Sequence, residues 1–380
     1  MIPQKIHISA EIGTSHNGKI SKAKQLVEAA VKAGADSVKF QWVYAKEILH
    51  PNTGIVKLPG GNIRLYDRFK QLEMPPKFYF EMKDFAHSLG CKFICSPFGL
   101  KSLQELLDIN PDGIKIASPE LNHFPMLEKL AFYREKQVQQ GKNPIPVILS
   151  SGVSTLSDIE SALNYFSKDK TGITLLHCIT SYPAPPEQYN LRLLSNLQNI
   201  FGVPVGVSDH SMDSVLVPVL AAACGASFIE KHITLSRQED GLDDPVALEP
   251  HSFEIMVKSV IQQEKKIKCY GYEKALFNCI EELKEEFSHE IILQTLGSGV
   301  KTLAEAEALN YGRTYRSIHV IKDMKAGDVI KQEDVAILRT EKELNPGMSP
   351  KYLEKITGAI LTQDIPAGQG LTWQHFISLA

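Results

Sequence analysis

Glutamate, lysine, serine and histidine recur at the ends of short apolar runs in this chain. The first is Glu11, which follows "HISA" and is itself followed by Ser15, His16, Asn17 and Gly18. A carboxylate at the end of a buried run is costly unless something nearby uses it. Other runs end in the same way. "SVKFQ" delivers Lys39 and Gln41, "KFICSPF" delivers Ser96, and "GIKIASPEL" delivers Lys115, Ser118 and Glu120. "PVILSSG" ends in Ser150, Ser151 and Gly152, and the run through His177 leads to Tyr182 in "TSYPAPP". "PVGVSDHS" supplies Ser208, Asp209 and His210, and "FIEKHIT" supplies Glu230, Lys231 and His232.

These side chains imply a chemistry. Lysines among hydroxyls suit a phosphorylated anion, the ammonium groups giving charge and the hydroxyls directional hydrogen bonds. His210 and His232 could share a divalent metal, with Glu11 as a third ligand or as the holder of metal-bound water. Imidazole with carboxylate suits Mn, Fe, Zn or Co better than Ca. A Lewis acid beside a phosphate pocket suits activation of a carbonyl next to a phosphate-bearing nucleophile. Taken singly, each residue has a plainer reading. A strand-end lysine is usually a solvated charge, His177 reads as a hydrogen-bonded interior histidine, and Asp209 divides between supporting His210 and shaping a loop. Recurrence at every run favours the chemical reading, with all ends converging on one mouth and His16–Asn17–Gly18 closing one wall.

The elements that must position these residues are legible as alternating patterns. Strand-like runs fall at 5–11, 37–41, 92–97, 113–117, 146–150, 173–178, 204–208 and 228–232. Helical spacing fills most gaps, as in "SKAKQLVEAAVKAGA" (21–35) with Gly34 as a stop, and "TLSDIESALNYF" (155–166) with a Thr or Ser N-cap. Eight β-then-α units predict a (β/α)8 TIM barrel over 1–270, with its site at the carboxyl ends of the strands. A doubly wound open sheet is the structural alternative. Residues 271–312 read as an extended linker, charged and helical over 279–299 before breaking at glycines. Residues 313–380 read as a small β-rich domain. Within it "KDMKAGDVIKQEDV" (322–335) and "QDIPAGQGLTWQHF" (363–376) share D-x-x-A-G, which predicts two pseudo-symmetric halves.

Bulk properties narrow the class. The 380 residues are 43% hydrophobic and 22% charged with formal net charge -3, which suits a globular protein with a large core. No basic run marks a nucleic-acid or membrane surface, and no apolar run reaches the ~20 residues of a span. Six cysteines, at 91, 95, 178, 224, 269 and 279, form no CxxC and read as reduced thiols of a cytoplasmic protein.

Taken in order, "AEIGTSHNG", "VKFQ", "CSPF", "KIASPEL", "LSSG", "SYPAPPE", "VSDHS", "EKHITL" and "ALEP" resemble the signature of the sialic acid synthase family. Those enzymes condense phosphoenolpyruvate with an N-acyl hexosamine to give a nonulosonic acid. "RSIHVIKDMKAGDVI", "LNPGMSPKYLEKITG" and "DIPAGQGLTW" resemble the antifreeze-like SAF (β-clip) domain that follows the barrel in that family. The resemblance implies that Lys39, Ser96, Lys115, Ser118, Ser150 and Ser208 hold phosphoenolpyruvate. It implies that His210 and His232 bind Mn2+ or Mg2+ (Co2+ is a further option), and that Glu11 manages a water or a proton. Glu120, Tyr182 and Asp243 match sugar-contacting positions. Arg339 matches an arginine that reaches the sugar in a partner's site, in a homodimer with exchanged small domains.

The chain departs from the family pattern at "GLDD" (241–244), at "RTEKELNPG", and in a longer stretch around 263–296. Two of these lie near the sugar, so the acceptor stays open, with "LSRQEDGLDD" leaning towards a pseudaminic-like pattern. A related synthase using an unacylated sugar or a sugar phosphate is the enzymatic alternative. A silent sugar-binding protein is the alternative from another class.

Overall fold

The computed structural model describes residues 5–58, 61–239, 241–341 and 343–377, so the outermost ends of both domain spans, 1–4 and 378–380, lie outside it. Eight parallel strands close into a barrel: β1 (His7–Gly13), β2 (Ser37–Trp42), β3 (Lys92–Pro97), β4 (Gly113–Ile116), β5 (Val147–Ser150), β6 (Ile173–Cys178), β7 (Val205–Asp209) and β8 (Phe228–His232). Each neighbours the next in sequence, and β8 returns to pair with β1. The open sheet is thereby excluded.

Eight helices clothe the barrel: α1 (Ile20–Lys32), α2 (Pro76–Ser88), α3 (Leu100–Asp108), α4 (Phe124–Gln139), α5 (Leu156–Leu163), α6 (Leu193–Phe201), α7 (Leu216–Ala223) and α8 (Pro250–Tyr270). The spacing argument works as expected in α1, whose buried Ala23, Leu26, Val27 and Ala30 form one stripe against the strands. Thr155 caps α5 in a reciprocal box with Asp158.

Along each strand alternate side chains point into the barrel. At its lower end Ile94, Ile148, Leu176 and Phe228 form a separate apolar plug. Gly206 belongs to the same level: a Cβ there would lie 2.1 Å from the Phe228 carbonyl oxygen, so no larger residue fits. One step further up each strand, the same alternation presents polar groups.

The chain then continues through α9 (Tyr272–Leu283), α10 (His289–Leu296) and α11 (Glu305–Ala308). A small domain follows, with β9 (Arg316–Val320) antiparallel to β10 (Val335–Arg339). Its core is Ile318, Val320, Met324, Ile330, Leu361, Ile365 and their neighbours. The two D-x-x-A-G echoes meet as expected: Met324 bridges Ile365, the matching position of the other half. The Ala326 N–H donates to Asp364 at 3.0 Å, and the Ala367 N–H donates to Asp323 at 2.8 Å. Among the described residues no helix is long and apolar enough to cross a membrane, and all six cysteines are free thiols.

Four buried histidines make this fold acid-sensitive. Burial holds His16 and His319 at about 4 and His123 and His177 at about 3. An unfolded histidine titrates near 6.5, so below that pH the unfolded chain binds more protons and stability falls. Each such histidine is expected to cost roughly 2 kcal/mol at about pH 5 relative to neutral pH. Thermal unfolding should show Tm falling from about pH 7.5 to about pH 5, and His177→Asn should flatten that slope.

Candidate functional site

The layer above the plug is a buried network of charge. Glu230 lies two residues beyond Phe228 on β8 and so shares its inward face. Its Oε1 pairs with Lys115 at 2.7 Å and accepts from the Ser208 hydroxyl at 2.9 Å. Its Oε2 lies 3.8 Å from Lys39. Lys39 pairs with Glu11 Oε2 at 2.7 Å and donates to Ser96 Oγ at 3.4 Å. Glu11 also accepts from Gln41 Nε2 at 2.7 Å. The barrel register makes these meetings inevitable, since Glu11 stands opposite both Lys39 and His232, and Ser208 stands opposite Glu230.

Charge balance sets the protonation states. Burial alone would raise Glu230, but Lys115 and Lys39 outweigh it and hold the carboxyl at about 2. Burial raises Glu11, with Lys39 opposing and Glu230 reinforcing the shift. Burial lowers Lys115 beyond what Glu230 restores, whereas Glu11 and Glu230 overcome burial at Lys39 and raise it. Two ammonium groups therefore face two carboxyls, one firmly ionised and one easier to protonate.

A cavity of about 360 Å³ opens above this layer. Its inner wall carries Lys39, Lys115, Ser118, Ser150, Ser208 and Glu230. The Ser150 hydroxyl is buried without a hydrogen-bond partner. Gly152 lets the backbone come close beside it: its N–H donates to Ser118 Oγ at 3.0 Å, and a Cβ there would lie 2.8 Å from that same atom.

His210 and His232 sit at the cavity's middle, their ring centres 5.6 Å apart. A metal bound to a ring nitrogen at about 2.1 Å lies roughly 3.2 Å from that ring's centre, so two rings up to roughly 6.4 Å apart can share one ion. His210 directs Nδ1 to the Ile179 carbonyl at 2.8 Å, which leaves Nε2 towards the cavity, 3.1 Å from the Tyr182 hydroxyl. His232 Nδ1 is buried without a hydrogen-bond partner, 3.8 Å from Asp243 Oδ2. Burial, with the neighbouring His210, lowers the His232 pKa well below the usual value and keeps one ring nitrogen's lone pair available. Among the described residues no group of three or more His, Cys, Asp or Glu could hold an ion. Glu11 is turned to Lys39 and Gln41 instead of serving as a third ligand, so other positions on an ion would fall to water or substrate.

The outer wall is of a different character. Phe69, Leu72, Phe98 and Leu242 supply apolar surface, with Tyr182, Asp243, Asn310, Thr314, Arg339 and Glu341 among them. Burial, together with Glu11, pushes Asp243 up to about 6.

Several expectations need correction. Glu120 does not line the cavity. It is fully buried, and its Oε1 accepts from Arg339 at 2.8 Å and from Arg316 at 2.8 Å. Ser96 is fully buried behind Lys39, so it steadies the lysine instead of forming wall. His16 packs against Phe78 and Phe40, and Thr14 takes the wall position assigned to the loop. Asp209 and Lys231 pair at 2.6 Å outside the mouth, since both alternate outward; through Asp209 Oδ1 the Tyr189 hydroxyl is fixed, and that hydroxyl accepts from the His210 N–H. Arg339, for its part, lines the cavity and donates to Glu120 at 2.8 Å.

Two residues escaped the sequence reading. Glu230 stood among the strand ends without a role, although its spacing of two from His232 places it on the inner face. Arg316 had no signal at all, because its partners, Glu120 and the Phe98 carbonyl, lie far away in sequence.

Fold and site together define a (β/α)8 barrel with a charged mouth roofed by a small SAF domain. The chain belongs to the NeuB family, whose model matches residues 26–291, and the SAF domain model matches residues 315–377. It is 31% identical over 370 residues to the N,N'-diacetyllegionaminic acid synthase of Campylobacter jejuni, covering 95% of this chain and 97% of that one. It is 29% identical over 381 residues to a pseudaminic acid synthase of the same species, covering 98% and 97%. The crystal structure of the spore coat polysaccharide biosynthesis protein spsE of Bacillus subtilis superposes with a TM-score of 0.77 at 28% identity, covering 99% of this chain and 96% of that one.

Glu230→Gln would leave Lys39 and Lys115 with a single carboxylate between them. Breaking a buried pair in this way is expected to lower stability by about 3–5 kcal/mol, measured by urea unfolding at neutral pH.

Proposed function

We propose that this chain is a nonulosonic acid synthase that condenses phosphoenolpyruvate with an open-chain, unphosphorylated N-acyl hexosamine. The products are a nine-carbon 2-keto-3-deoxy acid and phosphate. One observation carries the reading: Lys39, Lys115, Ser118, Ser150 and Ser208 line one cavity together with two imidazoles whose ring centres are 5.6 Å apart. The Lys115 ammonium keeps N–H groups beyond the one Glu230 uses, and Ser150 Oγ has none of its bonds made. That donor set suits the phosphate and carboxylate of phosphoenolpyruvate. The relatives' names support the product class.

The outer wall favours an acyl sugar over a sugar phosphate. Arg339 is already engaged with Glu120, and Asp243 and Glu341 add carboxyl groups, so a second phosphate would meet more acid than base. The apolar patch of Phe69, Leu72, Phe98 and Leu242 suits methyl and acyl substituents.

His210 and His232 would hold a divalent cation, Mn2+ or Mg2+, whose charge polarises the aldehyde of the acceptor when bound. Lys39, Lys115 and the serines position carbon 3 of phosphoenolpyruvate against the aldehyde carbon. A carbon–carbon bond forms there, and positive charge develops at carbon 2. Water adds at carbon 2, and phosphate leaves with its carbon–oxygen bond broken. Glu11, its pKa raised by burial, accepts the proton of that water, and the former aldehyde oxygen, negative once the carbon–carbon bond has formed, takes up a proton to become the product's hydroxyl. The same reading places the enzyme in the cytoplasm, where free thiols persist.

Incubation with phosphoenolpyruvate and a panel of N-acyl hexoses should release phosphate one-for-one with a product identified by mass spectrometry. Glu11→Gln is expected to lower kcat by about 10²–10⁴-fold with little change in the KM for phosphoenolpyruvate. Chelation should abolish turnover, and full activity after metal stripping would remove the Lewis-acid role. Phosphate release with every acceptor absent, or with sugar phosphates alone, would overturn the assignment.

A further inference from the structure

The two imidazoles of the cavity are supported in different ways. His232 ends β8 inside the ladder: it stands opposite Glu11, its carbonyl accepts from the Leu248 N–H at 2.9 Å, and the next N–H, that of Ile233, donates to the Glu11 carbonyl at 3.0 Å. His210 has no such footing. Strand β7 closes at Asp209, whose ladder partner is Lys231, so His210 begins a turn one residue beyond the sheet. A buried backbone N–H at that point needs an acceptor that the sheet no longer offers. It finds a side chain: the His210 N–H donates to the Tyr189 hydroxyl at 2.7 Å, and the Ser211 N–H donates to the same oxygen at 3.1 Å.

Tyr189 is fully buried and lies in the loop that leaves β6. Its hydroxyl donates to Asp209 Oδ1 at 2.7 Å, an oxygen that also accepts from the Ser211 N–H at 2.8 Å. Asp209 Oδ2 takes the Lys231 ammonium at 2.6 Å, and that ammonium also donates to Ser211 Oγ at 3.0 Å and to the Asp213 carbonyl at 3.1 Å. Asp209 and Lys231 both alternate to the helix side of the barrel, and neither they nor Tyr189 line the cavity. Replacing a buried ion pair by apolar side chains is often neutral or stabilising, so stability alone does not account for this one. What the pair does supply is a fixed place for one hydroxyl. The loop from β6 completes the grip on His210: the Ile179 carbonyl faces Nδ1 at 2.8 Å, and the Ala184 N–H donates to the His210 carbonyl at 3.0 Å. The Tyr182 ring stacks on the imidazole with centres 4.1 Å apart.

We propose that Tyr189, anchored outside the barrel by Asp209 and Lys231, is the positioning residue of His210: its hydroxyl replaces the missing ladder bond and keeps that ring facing His232 across the cavity. The inference rests on the reading of His210 and His232 as the pair that holds a divalent cation. Without the hydroxyl, Ser211 would keep Asp209 Oδ1, whereas the His210 N–H would have no acceptor, so the loss falls on the ligand itself. Removing a group that orients a metal ligand weakens metal binding about 10–100-fold while leaving the ligand in place.

Tyr189→Phe removes that one oxygen and keeps the ring. Tyr44→Phe is the control, because it also loses one tyrosine hydroxyl bond, to Glu105 at 2.7 Å, and Tyr44 does not line the cavity. Mn2+ binding to the metal-stripped full chain is followed by the paramagnetic resonance of the free ion. Amide hydrogen exchange is followed by mass spectrometry of overlapping peptides across 205–213. Tyr189→Phe is expected to weaken Mn2+ binding about 10–100-fold and to speed exchange at His210. Tyr44→Phe is expected to match the unmodified protein in both. Unchanged Mn2+ affinity in folded Tyr189→Phe, or an equal loss in Tyr44→Phe, overturns the proposal. In the unmodified protein the His210 amide is expected to exchange as slowly as those of β7. Exchange there at the rate of an open loop overturns the proposal even if Tyr189→Phe fails to fold. Should the unmodified protein bind no Mn2+, the metal reading falls, and exchange at His210 alone decides whether Tyr189 positions it.

Discussion

Two lysines and two carboxyls buried side by side at the end of a barrel are the constraint to which the rest of the molecule answers. Glu11, Lys39, Lys115 and Glu230 are each at most 4% exposed. Removing such charges from water costs several kcal/mol apiece, and only close pairing offsets it. The pairing needs four strands, β1, β2, β4 and β8, in fixed register, which a closed barrel supplies and an open sheet would not. Hydrophobic packing below and outside carries the stability, while the ion pairs decide which residues can stand where. The same arrangement leaves Lys115 with N–H groups beyond the one Glu230 uses, on the wall of the cavity.

Much of this was legible because period-two alternation converts directly into direction. Once eight apolar runs are recognised, a lysine or serine near the end of each one must face either the lumen or the helices. Lys39, Lys115, Ser150, Ser208 and His232 fall on the lumen side, and the structure gathers them around one cavity. Lys231 falls between Glu230 and His232 and therefore points out to Asp209, so polarity at a strand end does not by itself place a residue in the mouth. Glu230 could have been found by the same count of two.

Less was legible beyond the strands. His16 and Glu120 lie on loops, where no periodicity tells one wall from another. His16 turned into an aromatic cluster and Glu120 turned under two arginines. The echo within the SAF domain was visible because a repeated turn motif needs no long-range information. How that domain meets the barrel was not visible, since it depends on Arg316 finding Glu120 across 196 residues of chain. A buried arginine at the start of a short β run looks, in sequence, like any surface arginine at a strand edge.

The plug formed by Ile94, Ile148, Leu176 and Phe228 has a consequence for traffic. It seals the barrel from below, so the well has one entrance and its depth is a queue. The lysines lie at the bottom, with Tyr182, Asp243 and Arg339 nearer the rim. Whatever the ammonium groups hold must arrive before the larger molecule that closes over it, and the last guest to enter is the first obliged to leave. Steric order of this kind enforces a sequence of events with no moving part, and it keeps whatever lies deepest out of reach of bulk water once the second guest is in place.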